Sequence, residues 1–130
     1  GLENEVECVG YLDHESATGQ LIRCDVAWMI VGHQKGQELI STGKLFEYMG
    51  SLKPILALLP DGAAKQALEG YNAATIVLPD DIAAISSAIE KLYEEWISHS
   101  LPVGSKSHVE QFDRKRQASL FAREFASKIS

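Results

Sequence analysis

Apolar residues in this chain come in short uninterrupted blocks, separated by segments where they recur at helical spacing. In Asp25-Val-Ala-Trp-Met-Ile-Val31, a strand would turn Val26, Trp28 and Ile30 to one side and Ala27, Met29 and Val31 to the other. A strand apolar on both faces belongs to a parallel sheet covered on both sides. Pro54 to Leu59 reads the same way, with its proline at the first strand position, where a missing N–H is tolerated. Thr75 to Leu78 is a further strand, and Val6 to Val9, running into Gly10, is the earliest candidate. Between these blocks, Asp13 is placed to cap a helix from near His14 to Arg23, and a short helix after Gly43 would bury Leu45 and Met49. A helix from about Ala63 to Glu69 stops at Gly70 and Asn72. Asp80 or Asp81 caps a long one with Ile82, Ile85, Ile89, Leu92, Tyr93 and Trp96 on one face. A linker holding Pro102 and Gly104 leads to a last amphipathic helix over about residues 108–129, with Phe112, Leu120, Phe121 and Phe125 on or near its apolar side. The alternation predicts an α/β fold: a Rossmann-like three-layer sandwich, in one domain, around a parallel sheet of about four strands.

Composition narrows the function. With 130 residues, 45% hydrophobic and 23% charged, the chain has the make-up of a globular domain with a real core. A formal net charge of −6 argues against nucleic-acid binding through a general basic field and leaves room for a local anion pocket, to which Lys35, Lys44 and Lys53 could contribute. No apolar run is long enough to span a bilayer, and no signal-peptide pattern opens the sequence, so a cytoplasmic protein is expected, with the inner face of the membrane as the second option. Cys8 and Cys24 lack any metal-ligand spacing and are expected to be reduced, buried thiols. His14, His33, His99 and His108 are scattered, and no protein-bound metal or cofactor is expected.

The sharpest chemical signal lies at the turn into the second helix. Gly43 permits a tight turn, and the helix after it aims unpaired amides at whatever precedes it, which suits an anion. Lys44 falls in the first helical turn, where the macrodipole disfavours a cation by about 0.3–1 kcal/mol unless an anion is near. Glu47 follows one turn later, and the polar loop from Gly32 to Thr42 delivers the chain to this point. Each residue also has a plainer reading: Lys44 as a solvated side chain, Glu47 as an acid that suits a helix start, His14 as a first-turn surface histidine and Gly62 as part of an ordinary turn. Asp80 and Asp81 read as caps. Arg114, Lys115 and Arg116 read as a solvated basic face.

Thr42-Gly43-Lys44-Leu45-Phe46-Glu47-Tyr48-Met49, followed by Lys53-Pro54-Ile55-Leu56-Ala57, resembles a segment of the C-terminal, donor-binding domain of GT-B glycosyltransferases, in the broad group that includes glycosyltransferase family 4. The likeness extends to Val6–Tyr11, to Asp25–Val31 and to Thr75–Asp81. It implies that the Glu47 carboxylate bonds the ribose of a nucleoside-diphosphate sugar, that the backbone around Gly43, Lys44 and Leu45 holds the diphosphate, and that Tyr11 and Leu12 lie near the base. His14, Glu38 and Gly62 are further candidates. The family's second glutamate, which contacts the donor sugar, falls at Leu39, beside Glu38, and its glycine before the strand proline falls at Leu52.

The function implied is the nucleotide-sugar-binding part of a glycosyltransferase, which moves a sugar to an acceptor held largely by an N-terminal domain that this chain does not match. The chain alone is then expected to transfer nothing. A noncatalytic phosphate- or nucleotide-binding module and part of a GT-B nucleotide-sugar epimerase are the alternatives. The match also omits the family's first strand-helix-strand unit. With the strands that remain, right-handed crossovers would load one face of the sheet with helices and leave the other bare. The long helix, the C-terminal helix or a second copy of the chain could cover it, and the C-terminal helix aided by a homodimer contact is the expectation.

Overall fold

The computed structural model describes residues 1–32 and 43–129. Its elements in order are α1 (His14–Arg23), β1 (Ala27–Ile30), α2 (Gly43–Gly50), β2 (Ile55–Leu58), α3 (Ala63–Leu68), β3 (Ala74–Val77), α4 (Ile82–Ile97), α5 (Lys106–Val109), a 3-10 turn (Glu110–Phe112) and α6 (Arg114–Ile129). The sheet has three strands in the order β1-β2-β3, all parallel, with Ala27 beside Ile55 and Ile55 beside Ala74. The α/β class and the parallel sheet therefore stand, while the expected strand at Val6–Val9 does not form. That segment is irregular, and Val6 and Val9 are half or more exposed. A short extended segment is stable only with a hydrogen-bonded neighbour. Among the described residues no strand stands beside Val6–Val9 to pair with it. Cys8, expected to be buried in that strand, is exposed as a consequence, and Cys24 is partly buried; both are free thiols.

Both crossovers step in the same direction, and one face of the sheet receives both helices. On that face Ala27, Met29 and Val31 of the β1 segment, Ile55, Ala57 and Leu59 of the β2 segment, Leu45 and Met49 of α2, and Ala64 and Leu68 of α3 form one core. Leu45, Met49 and Ile55 are fully buried, each contributing about 1.5–3 kcal/mol relative to exposure. Tyr71 closes the bottom of this core. Its ring is fully buried and its hydroxyl donates to the Lys53 carbonyl at 2.9 Å. Burial pushes its pKa up to about 12. The linker after α4 returns across it: Gly104 N–H donates to the Leu52 carbonyl at 3.0 Å, and Ser105 N–H to the Tyr71 carbonyl at 2.8 Å. A Cβ at Gly104 would lie 2.2 Å from the Tyr71 ring, so only glycine fits.

The other face is covered in part. Ala88 and Leu92 of α4, with Ile85 beside them, pack on Leu56, Leu58 and Val77, over β2 and β3. Trp28 and Ile30 of β1 point to the same side and remain 57% and 61% exposed. The cover is thus α4 and not the C-terminal helix. The C-terminal segment lies on the first face, where His108 Nε2 is 2.8 Å from the Ala67 carbonyl, and Phe112 packs against His108 and against Phe46 of α2. It is also divided. Asp113 takes extended backbone and accepts from Arg116 N–H at 2.9 Å, so α6 starts as a separate helix. Arg114 to Lys128 are all exposed.

Candidate functional site

The start of α2 lies at the edge of the sheet where β1 ends. Gly43 and Lys44 line a recess of about 700 Å³ together with Met29, Ile30, Glu47 and Tyr48. The local cause is the amphipathic pattern of α2: with Leu45 and Met49 fixed in the core, Lys44 and Glu47 are left on the open side of the same helix. A second recess, of about 430 Å³, runs between α1 and α2, where Leu21, Cys24, Lys44, Glu47 and Tyr48 face one another.

α1 carries the remaining member. Asp13 caps it, accepting from Ser16 N–H at 2.8 Å, and the same bonds hold the Asp13 carboxyl below its ordinary range. This fixes the first residue of the helix, His14, with its Nδ1 4.0 Å from Glu47 Oε1. His14 is largely exposed and Glu47 about half exposed, so the pair is reachable by solvent and by ligand. Burial pushes the Tyr48 hydroxyl and the Cys24 thiol up from their ordinary pKa values, so each stays protonated near neutrality and can donate a hydrogen bond.

The structure thus brings together Gly43, Lys44, Glu47 and His14. Leu45 is fully buried, so only its backbone can meet a ligand. Tyr11 is 97% exposed in the irregular segment before α1, Leu12 is half-buried, and neither lines these two recesses. Gly62 precedes α3 at the exit of β2, beside Asp61. That acid pairs with Lys65 at 2.6 Å. Glu38, Lys35 and the rest of residues 33–42 lie outside the described residues. Lys53 sits at the opposite end of the strands, just before β2, away from Lys44.

Sequence reasoning missed Tyr48, which lines both recesses. Its spacing of one turn from Lys44 was the available signal. It also missed an apolar groove of about 490 Å³ on the other face, lined by Asp25, Val26, Trp28, Leu56, Ile89, Leu92, Tyr93 and Trp96. No group of three or more His, Cys, Asp or Glu side chains suited to a metal ion occurs among the described residues, and none of their helices is long and apolar enough to cross a membrane.

Chemically, the α1–α2 edge offers one ammonium, the amides that open α2, a carboxylate able to accept from hydroxyls, and an imidazole. That set suits a ligand with an anionic part and a polyol part. Compared with protein-family models, curated proteins and solved structures, the chain finds no match.

Proposed function

We propose that this chain is the nucleotide-sugar-binding part of a glycosyltransferase, with the donor diphosphate at the start of α2. Lys44 and the amides from Gly43 onward hold negative charge that grows as the nucleoside diphosphate departs. Glu47 accepts from the ribose hydroxyls and positions the donor without acting as a base. The observation that carries the reading is the approach of His14 to Glu47 at 4.0 Å, which joins the start of α1 to the Lys44–Glu47 side of α2. The likeness of Thr42–Met49 to the donor-binding segment of GT-B enzymes supports the same assignment. An acceptor and the exclusion of water both require a second wall to the cleft, so acceptor-dependent transfer is not expected of this chain alone.

The test is calorimetric titration of the chain with UDP, GDP, dTDP and CDP and their sugars, repeated with Lys44→Ala and Glu47→Gln. A charge-assisted hydrogen bond of about 1.5–3 kcal/mol makes Lys44→Ala weaken the preferred diphosphate about tenfold or more. Glu47→Gln weakens the ribonucleotide more than its deoxyribose analogue. Equal affinity of parent and Lys44→Ala would remove Lys44 as a ligand. Equal losses for both sugars would remove the ribose role, and acceptor-dependent turnover by the purified chain would contradict the half-site reading.

A further inference from the structure

The groove on the second face is apolar and open, helix α6 carries an exposed apolar stripe, and α6 is basic where the rest of the chain is acidic. The groove is walled by Trp28 on β1 and by Ile89, Tyr93 and Trp96 on α4, residues that are 47–59% exposed. Asp25 lies within it, and Glu90 and Glu94 stand exposed on α4; Lys91 of the same helix is engaged by Glu95 at 3.8 Å. α6 presents Phe121 and Phe125, whose ring centroids are 5.1 Å apart, and helical spacing puts Ala118 and Ala122 on the same side. Lys128 and Glu124 border the two rings, and Lys115 lies one turn before Ala118. α6 carries five basic residues and one acid, which leaves seven basic against seventeen acidic residues for the rest of the chain.

We infer that the groove receives α6 from a second copy of this chain, the Phe121–Phe125 stripe entering between Trp28 and Trp96 while the basic helix meets Asp25 and the net acidic remainder of the chain. The fold gives the reason for a second copy. α6 is rooted through Asp113 to the 3-10 turn, whose Phe112 is held against Phe46 on the first face, whereas the groove opens on the second. The root of α6 therefore lies on the face opposite its own chain's groove. In a two-fold pair each chain gives its α6 and receives its partner's, which closes both grooves; a one-way contact would continue into longer assemblies. Burying the stripe and the four groove side chains takes six exposed aromatic and aliphatic side chains out of water.

Trp28 and Trp96 are the only tryptophans in the sequence and both line the groove; Trp28 also lines the two recesses beside α2, so the groove-specific part of the emission comes from Trp96. The experiment is sedimentation velocity with tryptophan emission across a dilution series of the full chain, of the Phe121→Glu/Phe125→Glu variant, of Trp96→Glu, and of an equimolar mixture of the two variants. The expected result is a parent dimer whose emission moves to the red as it dissociates, and two monomeric variants that keep cooperative unfolding. The stripe variant emits to the red at every concentration. The mixture recovers a dimer, weaker than the parent, because one intact stripe meets one intact groove. A parent that stays monomeric, either variant remaining dimeric, a mixture that stays monomeric, or dissociation without an emission change would each overturn the proposal. Pelleting of the parent monomer with anionic phosphatidylserine vesicles, in place of self-association, would assign the basic stripe to a membrane surface instead.

Discussion

The two faces of the three-stranded sheet start from equally apolar strands and reach opposite ends. On the first face, two short helices and the C-terminal segment converge, and Leu45, Met49, Ile55, Leu59 and Tyr71 retain at most 1% of their surface. On the second, α4 packs down over β2 and β3 with Leu101 of the linker beside it, and β1 keeps Trp28 and Ile30 more than half exposed. Local sequence is not what separates them, since β1 alternates large apolar residues on both sides. What separates them is connection order: both crossovers deliver helices to one face, and only the element after the last strand can reach the other. The first face therefore carries the larger core, and the second is closed over β2 and β3 but open over β1.

Breaking that contrast has consequences of graded size. Leu45→Ala should cost about 3–5 kcal/mol, because a fully buried side chain leaves a cavity between α2 and the sheet, whereas Ile30→Ala on the bare side should cost far less. Chemical denaturation of both variants would show it, and equal losses would mean that the faces do not differ as described. Gly104→Ala should cost about 3 kcal/mol, since the added methyl meets the Tyr71 ring and the strap across the core must shift. Thermal unfolding that is unchanged in this variant would contradict the close approach.

Tyr71 gives the alkaline behaviour. The fold holds its phenol protonated up to about pH 12, while an unfolded tyrosine releases the proton near its ordinary value of 10.0. The stabilisation is therefore complete below the unfolded pKa and is lost as pH rises from there through the folded value. Tyr71→Phe should cost about 1 kcal/mol at neutral pH through the lost bond to the Lys53 carbonyl, and should flatten the alkaline decline. A decline just as steep in the variant would place its origin elsewhere. Leu52, with φ of 58°, holds a left-handed conformation just after α2, at the position where the resembled family has glycine. Leu52→Gly should relieve about 1 kcal/mol of backbone strain against the loss of a half-buried side chain, leaving stability within about 1 kcal/mol of the parent. A large loss would mean that packing at Leu52 outweighs its backbone.

Much of this architecture was legible in the sequence, for definite physical reasons. Asp13 and Asp81 are side-chain caps of the kind that mark a helix start, and α1 and α4 begin where they say. The apolar blocks at Asp25–Val31 and Pro54–Leu59 became parallel neighbours because nothing else can bury them. Val6 to Val9 misled because a strand pattern states what a segment could pair with, not whether a partner stands beside it. The last helix misled because its apolar positions suggested a cover for the sheet, while Phe112, on the far side of Asp113, ties the segment to the first face. At the candidate site, the sequence placed Lys44 and Glu47 on the open side of α2. It could not show that His14 closes to 4.0 Å, because that distance depends on how α1 packs beside α2.

The most direct measurement is a map of backbone amide shifts in the isotope-labelled chain on adding each of UDP, GDP, dTDP and CDP. One of them is expected to move the amides of His14, Gly43, Lys44 and Glu47 together, saturably, and to leave those of Ile89, Tyr93 and Trp96 in place. No response to any nucleotide, or shifts confined to the Trp28–Trp96 groove, would contradict the proposed site.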